Sequence, residues 1–144
     1  MTGLVFVDTN VLIYAVDRGD PAKQEAAQAW LSALWKARQG RVSMQVIQEF
    51  YAKVCQKDPS ARGHARARAR NLLAWIPVVL DAPVIEQAWQ LQDHYQFSFW
   101  DSLIVAAARS IGCRYLLSED FQAGQDLQGL LIVNPFKADP ASLV

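Results

Sequence analysis

Four acidic residues fall where an α/β protein would bring them to one place. Asp8 follows the apolar run 4–7 and Asp120 follows the apolar run 115–117, and both runs are predicted strands. Ligands of open α/β sheets bind beyond the carboxyl ends of the strands, so these two carboxylates are expected near one edge. Two further acidic residues lie on predicted helices that begin near the same edge. The four carboxylates expected to meet there are Asp8, Glu49, Asp101 and Asp120.

A cluster of carboxylates favours one kind of chemistry. Neighbouring negative charges repel one another unless a cation compensates them. Hard ions such as Mg²⁺ or Mn²⁺ prefer oxygen ligands and keep several of their waters. A bound ion of this kind orients and acidifies water for in-line attack on a phosphodiester and stabilises the charge that develops on phosphate. The pattern therefore indicates a phosphodiester hydrolase.

Each of these residues also has a purely structural explanation. Asp8 is placed to cap the helix that follows it. The spacing of Ser98 and Asp101 fits a capping box with Asp in the usual Glu position. Glu49 suits the solvated side of an amphipathic helix, and Asp120 suits a turn. No one of these positions decides between the structural and the chemical interpretation.

The elements that must position these residues alternate along the chain. Helices are predicted at 11–16, 22–39, 45–57, 60–75, 83–95 and 101–111. Strands are predicted at 4–7, 41–44, 77–80, 115–117 and 130–133. Parallel strands need crossover helices, so this alternation predicts a parallel α/β sandwich with helices on both faces of a central sheet.

The composition indicates one folded domain over residues 1–144. Hydrophobic residues make up 52% of the chain, which suits a single core and excludes intrinsic disorder. No stretch approaches the about 18 unbroken apolar residues of a membrane span, and nothing at the start predicts a signal peptide. We expect a cytoplasmic protein that does not enter a membrane.

Five segments carry a resemblance to a known family. They are VFVDTNVL at 5–12, QEF at 48–50, FWDSLI at 99–104, LSEDF at 117–121 and IVNPF at 132–136. Together they resemble a PIN-domain protein, and within that family the VapC-type ribonuclease toxins of toxin-antitoxin modules. The D-T-N, E, D-S and S-x-D elements appear in family order over nearly the whole chain, which makes the set more specific than any one motif.

The resemblance implies a fold and an activity. The fold would be a PIN-like three-layer sandwich around a mostly parallel sheet. The activity would be that of an endoribonuclease dependent on Mg²⁺ or Mn²⁺, which cleaves tRNA, mRNA or rRNA with metal-activated water. Such toxins are usually homodimers, and a small antitoxin inhibits each of them by inserting its tail into the active-site groove.

The resemblance also assigns roles to particular residues. Asn10 and Ser118 match polar supports of the site. The last motif contains adjacent acids, Glu119 and Asp120, and the spacing from Ser118 favours Asp120 as the one that faces the metal. The residues that match the catalytic, metal-binding set are Asp8, Glu49, Asp101 and Asp120.

Basic residues are concentrated in one part of the chain. The segment 36–70 holds nine basic and two acidic residues, a net charge of +7, whereas the rest of the chain has a net charge of −7. Arg62, Arg66 and Arg70 recur every four residues and would form one stripe on a helix. This stripe could bind RNA or an acidic antitoxin, because neutralising phosphates releases counterions. A solvated helix face explains it equally well.

Two other functions compete with the nuclease. One is a PIN-like module that binds RNA or a protein partner without catalysis, which would require loss of metal binding. The other is a receiver or phosphatase-like domain that uses Asp8 as a phosphoacceptor. That chemistry needs a lysine after a late strand, and the only late lysine is Lys137, beyond the last predicted strand. The intact acidic set favours the nuclease over both.

Overall fold

A five-stranded sheet forms the centre of the fold in a computed structural model that describes residues 3–144. The order across the sheet is β2-β1-β3-β5-β4, and every neighbouring pair is parallel except the antiparallel pair β4 and β5. The strands are β1 (Val5–Val7), β2 (Gly40–Arg41), β3 (Tyr115–Leu117), β4 (Asp126–Leu127) and β5 (Leu130–Val133).

Six α-helices cover both faces of this sheet and complete a three-layer α/β sandwich. They pack as consecutive pairs, α1 on α2, α3 on α4 and α5 on α6. The predicted fold class is therefore confirmed. No helix within residues 3–144 is both long enough and apolar enough to cross a membrane. The helices are α1 (Thr9–Val16), α2 (Pro21–Ala37), α3 (Met44–Lys57), α4 (Arg62–Leu72), α5 (Ala82–Tyr95) and α6 (Phe99–Ser110).

Side-chain caps fix where the helices begin. Asp20 accepts a hydrogen bond from the Lys23 amide at 3.2 Å, and Pro21 then occupies the first helical position of α2. Ser43 caps α3 and Ser98 caps α6 in the same way, through their hydroxyl oxygens. Because a cap satisfies amides that have no partner within the helix, it sets the first residue of the helix. Helix α3 carries Glu49 and helix α6 carries Asp101. The first residue of each helix is thereby determined by local sequence.

The strand predicted at 77–80 is wrong. Only Val78 pairs with the segment before α3: its amide donates to the Val42 carbonyl at 3.0 Å, and its carbonyl accepts from the Met44 amide at 2.9 Å. Ile76, the next residue that could pair on this side, has a left-handed backbone with φ +51°, so the pairing does not extend before Val78. An apolar run of this composition therefore becomes a single bridge at the margin of the sheet.

Two other elements differ from the predictions in detail. The helix predicted at 60–75 is divided into the 3-10 turn Pro59–Ala61, the helix α4 and the 3-10 turn Leu73–Trp75. Strand β4 was not predicted, because two residues joined to β5 by a tight turn give no periodic signal. Gly129, at φ +100°, belongs to that turn, where a backbone conformation accessible to glycine is required.

The hydrophobic core connects the central sheet with the segment that follows β5. All three residues of β1 are fully buried, as is the large side chain of Trp30 on α2. The Trp30 indole Nε1 donates to the carbonyls of Pro135 at 2.9 Å and Ala138 at 3.2 Å. This tryptophan therefore fills the core and also ties the segment after β5 to α2.

Gly40 and Gly63 provide a matched test of the packing. A Cβ atom added at Gly40 in β2 would lie 2.5 Å from Cη2 and 2.7 Å from Cε2 of the buried Trp75 ring, whereas nothing lies within 4 Å of a Cβ at Gly63 in α4. We expect Gly40→Ala to lower the free energy of unfolding by about 1–3 kcal/mol through overpacking. Gly63→Ala should instead raise it by about 0.5 kcal/mol, because alanine favours the helix. Urea unfolding of both variants tests this, and equal effects would contradict the packing described for Gly40.

Candidate active site

The pairing of β1 with β3 fixes the centre of the site. Val7 and Leu117 are register partners at the carboxyl ends of these parallel strands, and the Asp8 amide donates to the Leu117 carbonyl at 3.0 Å. The residues that follow, Asp8 and Ser118, therefore emerge side by side. Both are almost fully buried, with exposed fractions of 6% and 1%.

Asp8 is held by hydrogen bonds to both of its carboxylate oxygens. The Thr9 amide donates to Oδ1 at 2.7 Å, which also makes Asp8 the cap of α1. The Ser118 hydroxyl donates to Oδ2 at 2.7 Å. A buried carboxylate needs such donors to offset the loss of water. Asp8 thus caps α1, as its structural explanation predicts. The same residue also lies at the end of β1, where the chemical interpretation places it.

Polar side chains from α1 position two further acids. The Thr9 hydroxyl donates to Glu49 Oε1 at 2.8 Å and so links α1 to α3. The Asn10 amide donates to Asp120 Oδ2 and links α1 to the loop after β3. The D-T-N motif therefore supplies one acid and two donors that orient other acids. Asn10 lies where a supporting residue was predicted.

Asp101 completes the group from the first turn of α6. Its amide donates to the Ser98 hydroxyl at 3.1 Å, which is one of the two hydrogen bonds of the predicted capping box. The carboxylates of Asp8, Glu49, Asp101 and Asp120 all line one pocket of about 70 Å³. The structure thus brings together the four acidic residues that the sequence placed near one edge.

Glu119 lies apart from this pocket. Its carboxylate forms an ion pair with Lys23 of α2, with Oε2 and Nζ 2.8 Å apart. Burial acts to raise the pKa of Glu119, but hydrogen bonds with Lys23 and Tyr14 outweigh it and leave this pKa lowered. Asp120, which the spacing from Ser118 favoured, is the member of the adjacent pair that lines the pocket.

The carboxyl groups of Asp8, Asp101 and Asp120 resist ionisation. Burial raises the pKa of Asp8 to about 6, against the opposing hydrogen bonds from Ser118 and Thr9, and the charges of Asp120 and Asp101 raise it further. Burial is also the largest cause of the raised pKa values of Asp101 and Asp120. Removal from water and mutual repulsion therefore both disfavour the charged forms. A cation in the pocket would relieve that cost.

The donor set suits a hydrated divalent cation more than a closed metal cage. No three His, Cys, Asp or Glu side chains among residues 3–144 stand close enough to form a preassembled cage. Mg²⁺ is commonly bound through one or two carboxylates and keeps waters that hydrogen bond to the surroundings. The pocket offers carboxylate oxygens and also the buried Gln45 Oε1, which has no hydrogen-bond partner within the described chain. These oxygens fit such an ion.

Five lining residues of the pocket were not identified from the sequence as site residues, and Gln45, Lys53 and Trp100 are the polar or aromatic ones beyond Thr9. Gln45 lies on α3, and its Nε2 donates to the carbonyl of Trp100 at 3.3 Å. Lys53, one turn after Glu49 on α3, and Trp100, which precedes Asp101, also line the pocket. The helical spacing from Glu49 to Lys53 was an available signal. The lysine required by the phosphoacceptor hypothesis, Lys137, is not among the lining residues.

The predicted arginine stripe lies elsewhere. Arg62, Arg66 and Arg70 are exposed on α4, and none of them lines the acidic pocket. Arg66 Nε donates to the Tyr51 hydroxyl at 3.0 Å, which attaches the stripe to α3. The three arginines therefore form a surface separate from the carboxylates.

The comparisons with known proteins agree with this architecture. The family model of the PIN domain matches residues 5–124. The chain therefore belongs to the PIN domain family, and the resemblance seen in its motifs is confirmed. No curated protein matches the chain.

Two solved structures share the fold. One is VapC20 of Mycobacterium tuberculosis, described as a toxin that cleaves the sarcin-ricin loop: it is 24% identical, with a TM-score of 0.60, over 78% of this chain and 86% of that one. The other is a toxin-antitoxin complex from Klebsiella pneumoniae, 21% identical with a TM-score of 0.63, over 91% of this chain and 97% of that one. At these identities the likeness establishes the fold.

The raised pKa of Asp8 predicts how stability depends on pH. Folding raises this pKa from 3.8 to about 6, so its contribution to stability is complete below about pH 4 and is lost as the pH rises through about 6. The loss should reach about 3 kcal/mol, with Asp101 and Asp120 acting in the same direction. We expect Asp8→Asn to remove much of this pH dependence in EDTA, whereas the exposed Asp93→Asn should not. Urea unfolding at several pH values measures the effect, and parallel curves for wild type and Asp8→Asn would contradict it.

Proposed function

We propose that this PIN-domain protein is an endoribonuclease dependent on Mg²⁺ or Mn²⁺ and is the toxin of a type II toxin-antitoxin module. The observation that carries the proposal is the convergence of Asp8, Glu49, Asp101 and Asp120 in one pocket. The raised pKa values of Asp8, Asp101 and Asp120 and the oxygen-only chemistry of the four side chains support a cation there. Membership of the PIN family supports a nuclease.

In this proposal one or two of the four carboxylates contact the ion directly, the others reach it through its waters, and the polar residues around them control their geometry. The bound ion would activate water and stabilise negative charge on the phosphate. Thr9 and Ser118 fix the two oxygens of Asp8, and Thr9 also fixes Glu49. Asn10 holds Asp120. Such outer hydrogen bonds orient metal ligands before the ion arrives, so less order must be created on binding.

Asp101→Asn tests the catalytic proposal. This change removes one charge and keeps the size of a half-buried side chain, so the melting temperature should stay near that of wild type. We expect cleavage of pooled tRNA and mRNA fragments to depend on Mn²⁺ or Mg²⁺, to stop in EDTA and to fall at least about 100-fold in the variant. The exposed Asp93→Asn on α5 is the matched control and should cut normally. A folded wild type that neither cuts RNA nor binds Mn²⁺ would instead favour a non-catalytic binding module.

The proposal also includes an antitoxin partner. It further includes a homodimer, and light scattering would measure the mass of the assembly. The fold is shared with a toxin-antitoxin complex. Two adjoining pockets, which share Ala15, Phe50 and Arg68, form a groove between the α1–α2 and α3–α4 pairs. Its walls carry Arg18 and Arg68, beside Asp58 and the ion pair of Lys57 with Asp17. An apolar floor with arginines in its walls suits an amphipathic acidic segment.

The arginine stripe provides a second test. Because Arg66 and Arg70 are exposed on α4, replacing both with Ala should leave folding intact but weaken binding of RNA or antitoxin. For RNA, the slope of log affinity against log salt should become shallower by about 1.4, since each phosphate contact to a single strand contributes about 0.7. Replacing the exposed Lys36 and Lys137 makes the same change of charge elsewhere and should matter less. Unchanged slopes for both ligands would identify the stripe as a solvated face.

A further inference from the structure

Trp100 is a large aromatic side chain exposed beside the acidic pocket. It is 62% exposed, more than Trp35 at 47% and Trp89 at 53%. Unlike those two, it lines the pocket that contains the four carboxylates. Its ring meets Phe99 edge to face, with centroids 5.3 Å apart, so Phe99 covers only part of it. The ring is therefore free to contact a ligand that enters the pocket.

The backbone that carries Trp100 is held firmly. Its carbonyl accepts a hydrogen bond from Gln45 of α3, and the next amide, that of Asp101, donates to the Ser98 cap. These bonds fix the first turn of α6 against α3. A tryptophan has two side-chain torsions, so a ring on a fixed backbone loses little entropy when it packs against a ligand. The position is suited to a stacking platform.

Lys53 faces the same pocket from α3. It is exposed and takes part in neither of the two ion pairs found among residues 3–144, which join Lys23 to Glu119 and Lys57 to Asp17. Its charge lowers the pKa of Asp120 against the effects of burial and Glu119, so it acts at the pocket electrostatically. A lysine without a carboxylate partner can bind a phosphate as a point charge.

We propose that Trp100 and Lys53 form a clamp for one unpaired nucleotide at the acidic pocket, in which Trp100 stacks on the base and Lys53 contacts a backbone phosphate. The clamp deepens the proposed ribonuclease function and rests on it. An aromatic face accepts any base, but only a base outside a duplex exposes its own face. The clamp therefore selects unpaired RNA and sets which phosphate lies beside the carboxylates.

Binding measurements test the stacking contact. We would titrate a short labelled RNA of mixed A, C and U with Asp101→Asn protein, in which cutting is prevented, and follow fluorescence anisotropy. Adding Trp100→Leu should weaken binding about tenfold, and Trp100→Phe should restore most of it. The control Trp89→Leu removes another exposed tryptophan, 53% exposed on α5, and should leave affinity unchanged. With the same RNA annealed to its complement, Trp100→Leu should have no effect.

Lys53→Gln separates the phosphate contact from a structural role. The slope of log affinity against log salt should become shallower by about 0.7, while Lys36→Gln should leave it unchanged and Lys53→Arg should retain it. In protein with Asp101 intact and without RNA, Lys53→Gln should tighten Mn²⁺ binding in calorimetry, because a positive charge beside the cation is removed. Opposite changes in RNA and Mn²⁺ affinity are not expected from a misfolded pocket.

The outcomes distinguish the clamp from the nuclease. Equal RNA affinity for Trp100→Leu and Trp89→Leu, an effect of Trp100→Leu on duplex, or no RNA binding by the parent protein would overturn the clamp. An unchanged salt slope in Lys53→Gln would remove Lys53 from it. If the clamp variants lose affinity as expected but wild type cuts no RNA with Mn²⁺ or Mg²⁺, the clamp stands as a binding site and the ribonuclease proposal fails.

Discussion

The burial of one carboxylate at the end of β1 constrains the rest of the site. Asp8 can stay in this position because the Thr9 amide and the Ser118 hydroxyl both reach it. The first donor requires α1 to begin at once after the strand, and the second requires β3 to pair with β1 in register. A slip of one residue in that register would turn Ser118 to the other face of the sheet and leave Asp8 without its second donor. The geometry of the site therefore depends directly on the register in which β1 pairs with β3.

The hydrogen bonds offset only part of the cost of concentrating charge. Asp8 keeps a pKa of about 6 although two donors oppose the shift, and the pKa values of Asp101 and Asp120 are raised as well. A cation would therefore bind the folded site more tightly than the unfolded chain, and its binding would stabilise the fold. The ion pair of Glu119 with Lys23 limits the problem, because it keeps one further negative charge out of the pocket.

The sequence predicted the carboxylates better than the residues around them. Asp8 and Asp120 follow buried strands, and that position alone predicts their edge of the sheet. The spacing from Ser118 also favoured Asp120 over Glu119, but the ion pair that holds Glu119 away from the pocket depends on Lys23, which lies 96 positions before Glu119. Trp100 was identified from the sequence only as part of the FWDSLI segment at 99–104. Its place in the pocket depends on how α6 meets α3, and no local pattern encodes that contact.

The same limit applies to charge. The sequence showed a basic block, but the fold divides it between Lys53 at the pocket, Arg68 in the groove and the exposed arginines of α4. In the proposed function a phosphate enters a pocket lined by four carboxylates and one lysine. A bound cation would lower the repulsion between the carboxylates and that phosphate, so the cation and RNA would favour each other's binding.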